Sequence, residues 1–468
     1  MKKSCTTPIM ILGAGPTGLG AAWALQQSGS EDWGLFEGTD EVGGLSRSVT
    51  DAHGFTWDIG GHVVFSHYDR FTQLLDDLLP SDAWLHHDRE SWVRVLGCWV
   101  PYPFQNNIHR LPEEACRRCL SGLVKAADER SDEPYVDFED FIRRTLGEGI
   151  AGIFMVPYNR KVWAYDPTKL SAGWVGDRVA LPDAARAARN VERKSDDVGW
   201  GPNNRFRFPL EGGTGAIWRA LASRLGAARV FRASEAVDID VDAKTVRFAD
   251  GRRETYGTLI STMPLDRLAA LARRDDWVER ASGLLHSSVH VVGVGIEGAA
   301  GASMKSRCWM YFPESNVPFY RVTHFSHYSP RNVDDITRHW SLMAEVSESA
   351  DKPVDASRVV EDTVRGLGVA GLLSEAKHVT HTWTQRVEYG YPTPTPGRDG
   401  IVHGLLDELE AKDILSRGRF GAWKYEVGNM DHAFMQGVEV AERLLLGTPE
   451  VTLWHPDEVN APRPARAR

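Results

Sequence analysis

The run Ile9-Met10-Ile11-Leu12-Gly13-Ala14-Gly15-Pro16-Thr17-Gly18 constrains this chain more than any other segment. A short apolar strand over residues 9–12 leads into three glycines at G-x-G-x-x-G spacing, and residues 19–27 read as a helix. Gly13 permits the tight turn, Gly15 lets the backbone approach a pyrophosphate, and Gly18 allows close helix packing. A second strand over residues 33–36 ends in Glu37, where an acid is placed to meet a ribose hydroxyl. Strand, turn, helix and acid together predict a Rossmann-like dinucleotide-binding unit, whereas glycines at this spacing alone fit any α/β turn.

With 468 residues the chain is too long for one simple core. Its 42% hydrophobic and 25% charged residues are those of an ordinary globular protein. A net charge of −10 argues against nucleic-acid binding, because no basic stripe is present to replace phosphate counterions. No segment is apolar for long enough to span a bilayer, and Met1-Lys2-Lys3 has too short an apolar follow-up for a secretory signal, so a cytoplasmic enzyme is expected. Cys116 and Cys119 form a C-x-x-C, which could be a redox pair or half a zinc site. They fall on a helix opened by Pro112 with no second C-x-x-C, and the histidines show no ligand spacing, so no metal is expected.

The expected fold class is α/β: a Rossmann-like domain with a helical insertion domain and an antiparallel β-sheet substrate domain. The dinucleotide domain takes residues 1–85, 201–265 and 415–460, and residues 86–110 form a substrate-side sheet segment. A helical domain takes 111–200, with helices over 138–146 and 181–193. The antiparallel sheet domain takes 266–414, with strands over 290–296, 308–312, 319–325, 341–346 and 378–383. Residues 258–262 predict a further strand, residues 217–225 and 432–446 predict helices, and the Arg- and Pro-rich tail 461–468 reads as disordered.

The fingerprint does not by itself separate NAD from FAD. FAD is favoured by its N-terminal position in a long discontinuous chain, by the extension Glu41-Val42-Gly43-Gly44-Leu45-Ser46-Arg47, and by the closing Gly428-Asn429-Met430-Asp431 turn. No second complete fingerprint serves a nicotinamide nucleotide. The segment Trp57-Asp58-Ile59-Gly60-Gly61-His62-Val63-Val64-Phe65 pairs two glycines that admit close approach of backbone to a flat ring. Tyr102, Phe104 and Gln105 could stack on a base and hydrogen-bond its edge, or form a buried aromatic turn.

These segments resemble the flavin-dependent UDP-galactopyranose mutases, in particular the eukaryotic-type branch. The resemblance runs through Pro157-Tyr158-Asn159, Lys161-Val162-Trp163, Gly176-Asp177-Arg178-Val179-Ala180 and Trp200-Gly201-Pro202-Asn203. It continues through Phe206-Arg207-Phe208-Pro209, Gly212-Gly213-Thr214-Gly215, Pro318-Phe319-Tyr320-Arg321 and Tyr389-Gly390-Tyr391-Pro392, and ends in Arg417-Gly418-Arg419-Phe420-Gly421 and Trp423 to Asn429. It covers nearly the whole chain. Three features depart from the family pattern: a short segment between Ser329 and Arg338, an altered loop 194–199, and Lys424 where an arginine is expected.

The resemblance implies an isomerase that interconverts UDP-galactopyranose and UDP-galactofuranose without net redox, with the N5 atom of reduced FAD as nucleophile at the anomeric carbon. NADPH or NADH would serve as activating reductant. Arg178 and Arg321 are implied as a diphosphate clamp, assisted by Tyr311, Tyr391, Tyr425 and Arg419, with His62 beneath the flavin. Uracil would meet Tyr102, Phe104 and Gln105, flanked by Asn159 and Trp163. Phe65, Asn203 and Asn429 would face the sugar or phosphate, and Arg89 and Ser91 complete the substrate side. Gly13, Gly15, Gly18, Glu37, Gly44, Ser46, Gly61, Met263, Gly421, Asn429 and Asp431 would hold FAD. A homo-oligomer fits the family. The alternatives are a mutase for another UDP-sugar, an amine-oxidase-like oxidoreductase, and a binding protein without turnover.

Overall fold

The computed structural model describes residues 8–375 and 378–461. Cys5 and, apart from Ala461, the tail expected to be disordered lie outside the described residues.

The fingerprint strand Ile9–Leu12 is the middle of a five-stranded parallel sheet. Across it the order is Ile414–Ser416, Thr258–Ser261, Ile9–Leu12, Trp33–Phe36 and Val230–Phe231. The central strands are buried on both faces, which is why they read as continuous apolar runs rather than alternating ones. On one face helix Pro16–Gln27 crosses the closing helix Met430–Leu446. The crossing is close: a Cβ on Gly437 would lie 1.9 Å from the Thr17 carbonyl oxygen and one on Gly20 2.3 Å from that of Phe434. Helix Met430–Leu446 thereby returns to the first turn of the fingerprint helix. On the other face helices Leu265–Leu271, Asp275–Ala281 and Arg398–Glu410 share a core with Met10, Leu12, Leu259 and Ile414.

A seven-stranded sheet forms the substrate side, in the order Val379–Pro392, His286–Glu297, His339–Glu348, Arg321–His324, Trp309–Tyr311, Ser91–Val95 and Cys98–Pro101. The strands from 266–414 pair antiparallel throughout, as expected, and Trp309–Tyr311 adds a parallel pairing to Ser91–Val95 of the 86–110 segment. Strand Val379–Pro392 runs well beyond the expected 378–383. It is an edge strand whose residues alternate between half-buried and exposed, so its polar positions hide the strand signal.

Helices Glu113–Asp128, Phe138–Ile150, Val156–Trp163 and Ala184–Arg193 form the helical region. Their apolar faces share one core with Val93, Val95 and Val100 of the substrate sheet. Backbone at Gly147 is non-helical, which explains why the pattern predicts an end at Leu146. The expected helix 181–193 begins only at Ala184, because Pro182 disfavours helical backbone before it and the Asp183 side chain caps the Arg186 N–H. Cys116 and Cys119 are free thiols on helix Glu113–Asp128, and burial pushes Cys119 up to about 12. No described helix is long and apolar enough to cross a membrane.

Candidate functional site

A single cavity of about 700 Å³ runs from the fingerprint turn to the substrate sheet. At one end Gly13 sits at φ +97°, and a Cβ there would fall 2.2 Å from Thr262 Oγ1. Gly15 and Gly44 face each other so closely that a Cβ on Gly44 would lie 3.1 Å from the Gly15 Cα. Glu37 accepts from the Ala14 N–H at 2.7 Å and from the Thr39 N–H at 3.0 Å, which fixes its carboxylate at the end of its strand. Ser46 and Met263 also line this end. A glycine cradle at the start of a helix and a fixed acid suit the pyrophosphate and ribose of a long dinucleotide such as FAD. Gly13→Ala is expected to yield protein that purifies without bound flavin absorbance; normal flavin content would contradict this cradle.

Asp58 supports the same end from beneath. Fully buried, it accepts from Ser48 Oγ at 2.5 Å, Thr214 Oγ1 at 2.9 Å and the Thr214 N–H at 3.2 Å, tying the 44–48 extension to the Gly212-Gly213 turn. Burial outweighs these bonds and pushes its carboxyl up to about 7. With the folded-state value raised, this contribution to stability is fully present below the unfolded value near 4 and is lost as pH rises through about 7. Thermal melts at pH 5.5 and 8.5 are expected to show a smaller pH-dependent loss for Asp58→Asn than for the parent; equal slopes would contradict it.

At the other end of the cavity lie Gly61, His62, Phe65, Arg321, Arg419, Tyr391, Tyr425 and the Asn429–Asp431 turn. His62 is half-buried with its Nδ1 buried and unpartnered, and desolvation pushes it down to about 4, so its ring is neutral near pH 7. Arg321 pairs with Glu345 on the neighbouring strand, its Nη2 reaching both carboxylate oxygens at 2.7 and 2.8 Å. Burial opposes both charges, yet each partner's charge holds Glu345 below the usual carboxylate range and Arg321 well above its ordinary value. Arg419 donates to the carbonyls of Gly428 and Gly390 at 3.1 Å each and lies over the rings of Tyr391 and Tyr425. Its Nε is buried without a partner.

Arg178 approaches from the helical region. Its Nη2 donates to the Glu426 carbonyl at 2.6 Å and its Nη1 to Asn429 Oδ1 at 3.4 Å, and it lies 4.8 Å from the Tyr425 ring centroid. Trp163 stands behind these tyrosines, edge-on to Tyr425 at 4.8 Å and Tyr391 at 5.8 Å. The turn carrying Glu426 is held by a buried bidentate pair between Glu426 and Arg398.

A second cluster extends away from Arg321. Tyr311 is the cross-strand partner of Arg321, and its ring meets Tyr102 at 5.7 Å and Tyr158 at 5.2 Å. Arg89 lies over Tyr102 and donates to Asn203 Oδ1 at 2.6 Å, while Ser91 supplies the carbonyl that accepts from the Tyr102 N–H. Gln105 donates to the Ala180 carbonyl, two residues beyond Arg178.

Several expected site residues stand away from the cavity. Phe104 is fully buried and packs on Phe154 in the helical core, so its ring cannot reach a base there. Asn159 turns its amide back to the carbonyl of Met155, which caps its own helix. Gly18 serves strand–helix packing, since a Cβ on it would lie 1.9 Å from the Gly13 carbonyl oxygen. Gly421 likewise packs on the Arg417 backbone, while Gly418, Arg419 and Phe420 line the cavity.

The sequence reading missed Glu345 and Tyr320, which meet Arg321. Their available signal was an acid inside the apolar run Leu342-Met343-Ala344-Glu345-Val346, because a charge in a buried strand needs a partner. It also missed why Asp431 is fixed: this buried carboxylate accepts from both the N–H and the ring of His67 at 2.8 Å, joining the closing helix to the loop that carries Phe65. Ligand-capable atoms of His67, Asp431 and His432 lie within 4.8 Å of one another. The Asp431 oxygen nearest His67 is already committed to that residue, and the rings of His67 and His432 stack at 4.6 Å rather than converge.

Residues 16–445 match the family model for flavin-containing amine oxidoreductases. A crystal structure of reduced UDP-galactopyranose mutase is 48% identical, covers 98% of this chain and 98% of that one, and superposes with a TM-score of 0.95. More distant similarities share the fold alone. A CLA-producing fatty acid isomerase from P. acnes is 15% identical with a TM-score of 0.63, covering 94% of this chain and 99% of its own. A putrescine oxidase bound to putrescine is 17% identical with a TM-score of 0.62 at the same coverages. The chain belongs to the flavin-containing amine oxidoreductase family and, within it, to the UDP-galactopyranose mutases.

Proposed function

We propose that this protein interconverts UDP-galactopyranose and UDP-galactofuranose on reduced FAD, with no net redox change. The observation that carries the reading is the continuity of one cavity from the Gly13–Gly15 cradle to Arg321, Arg419, Tyr391 and Tyr425. Reduced FAD, when bound, supplies a nucleophilic nitrogen toward the anomeric carbon. The chain's own task is to hold a departing and returning diphosphate beside that centre.

Arg178, Arg321 and Arg419 suit this task because guanidinium charge does not titrate away and its planar donors match phosphate oxygens. Burial raises Tyr311 and Tyr391 above the ordinary tyrosine range, so both hydroxyls stay protonated and able to donate. Neutral His62 adds no charge beneath the ring-binding glycines. Charge developing on the diphosphate as the anomeric bond breaks would meet fixed donors that need little reorganisation. An amine-oxidase reaction has no diphosphate for these arginines to hold. We assign the uridine to the Tyr102, Arg89 and Asn203 cluster, which is joined to Arg321 through Tyr311. NADPH or NADH would activate the enzyme without being consumed in each turnover, and we place the protein in the cytoplasm, with self-association open to measurement.

Dithionite-reduced holoenzyme is to be offered UDP-galactofuranose, UDP-arabinopyranose and UDP-N-acetylgalactosamine, with products separated by chromatography. Fastest conversion of UDP-galactofuranose is expected. Conversion of a different sugar alone would reassign the substrate, and conversion of none would overturn the mutase reading.

A further inference from the structure

Two of the three arginines assigned to the diphosphate rest on one turn and have no counter-ion there. Arg178 donates to the Glu426 carbonyl at 2.6 Å and Arg419 to the Gly428 carbonyl at 3.1 Å, so both take their bearing from the 3-10 turn Tyr425–Val427 and the residue after it. Both also lie over the Tyr425 ring, at 4.8 and 5.5 Å from its centroid. Among the described residues neither guanidinium is paired with a carboxylate, whereas Arg321 has Glu345. Burial, and after it the charge of Arg178 close by, push Arg419 below its ordinary value. Two neighbouring cations without an anion are what a diphosphate site needs.

The same turn carries an acid, and that acid is committed elsewhere. Glu426, whose carbonyl Arg178 touches, gives both carboxylate oxygens to Arg398: Nη1 donates to Oε2 at 2.9 Å and Nη2 to Oε1 at 2.8 Å. Both side chains are buried, and Arg398 comes from the start of helix Arg398–Glu410, a distant part of the chain. No other cation duplicates this hold. Lys424 feels the Glu426 charge, but its Nζ donates to the Leu453 carbonyl at 3.2 Å, and burial pushes it below the ordinary lysine range. The backbone of the turn, by contrast, has further ties. Asn460 donates to the Glu426 carbonyl at 3.1 Å and Gln436 to the Val427 carbonyl at 2.9 Å. Losing Arg398 would therefore free the carboxylate more than the turn.

We propose that Arg398 is a positioning residue for UDP binding that acts by masking charge: it holds the Glu426 carboxylate in a buried pair and so keeps a protein anion off Arg178 and Arg419. The inference rests on the mutase reading above. A freed carboxylate on this turn would compete for the guanidinium donors and repel the arriving diphosphate. Both effects are stronger in a site shielded from water than at the surface. Arg398 itself touches neither substrate nor flavin in this account; Asp399, which also accepts from it at 2.8 Å, is more than half exposed and belongs to the outer side of the pair.

The test measures UDP Kd for dithionite-reduced holoenzyme in the parent, Arg398→Met and the double variant Arg398→Met/Glu426→Gln, with flavin content and melting temperature recorded beside it. Arg398→Met is expected to weaken UDP binding about tenfold or more with flavin content retained. Adding Glu426→Gln should bring the Kd back to within about threefold of the parent, since it removes the freed anion without replacing the lost guanidinium. A merely structural role predicts the opposite order, because a second change in the same buried pair repairs no packing. A double variant as weak as the single one therefore overturns the masking, and so does an Arg398→Met Kd within about threefold of the parent. If Arg398→Met does not fold, Arg398→Lys, which keeps a charge but loses the two-pronged grip, decides the matter by the same rescue. Failure of the parent to bind UDP would instead overturn the mutase reading.

Discussion

Arg178→Ala should lower kcat/KM for UDP-galactofuranose by about 30- to 900-fold, equivalent to about 2–4 kcal/mol of transition-state stabilisation. Fold and flavin content should be retained. The guanidinium makes its bonds to the Glu426 carbonyl and the Asn429 amide, so its removal strands no buried charge. The Tyr425 ring loses a cation above it, a contact worth about 0.5–1 kcal/mol at an accessible site, too little to unfold the chain. Turnover of the reduced variant, measured beside its melting temperature and flavin content, separates the two effects. Near-parental kcat/KM would remove Arg178 from the clamp.

Arg321→Ala should do more, and differently. It also removes the partner of a carboxylate whose side chain is 2% exposed. Breaking a buried ion pair on one side costs about 3–5 kcal/mol of stability, because the remaining charge is left uncompensated. The variant should therefore lose both turnover and several degrees of melting temperature. Adding Glu345→Gln should recover part of the stability without recovering turnover, since it removes the stranded charge and supplies no phosphate donor. A double variant that regains activity would show that Arg321 acts through Glu345 alone. A single variant with parental stability would show that the pair is solvated.

Much of this arrangement was legible in the sequence because it depends on local pattern. The strand Ile9–Leu12, the turn at Gly13 and the helix after it follow from glycine spacing and apolar runs, and strand Trp33–Phe36 falls where residues 33–36 predict it. The helix expected over 138–146 ends where the backbone turns non-helical at Gly147. Motif resemblance brought out Arg321, Arg419, Tyr391 and Tyr425, and the fold brings all four to one cavity although they come from distant parts of the chain.

What stayed hidden depends on pairing across the fold. Glu345 is an unremarked acid until the register sets it opposite Arg321. Arg398 looks like the first residue of an ordinary helix until it meets Glu426. Phe104 and Gln105 are neighbours in a motif, but a 3-10 turn at Phe104–Asn106 sends the ring into the helical core and the amide toward Ala180. Sequence pattern does not say which of two adjacent buried side chains faces the ligand.

The most direct test of the central claim is the stoichiometry between flavin and sugar. Holoenzyme reduced once with dithionite under anaerobic conditions, then given excess UDP-galactofuranose, should convert many equivalents to UDP-galactopyranose per flavin while the flavin spectrum stays reduced. One equivalent of product for each flavin reoxidised would mean that electrons leave with the substrate, and would contradict a role for the flavin as nucleophile.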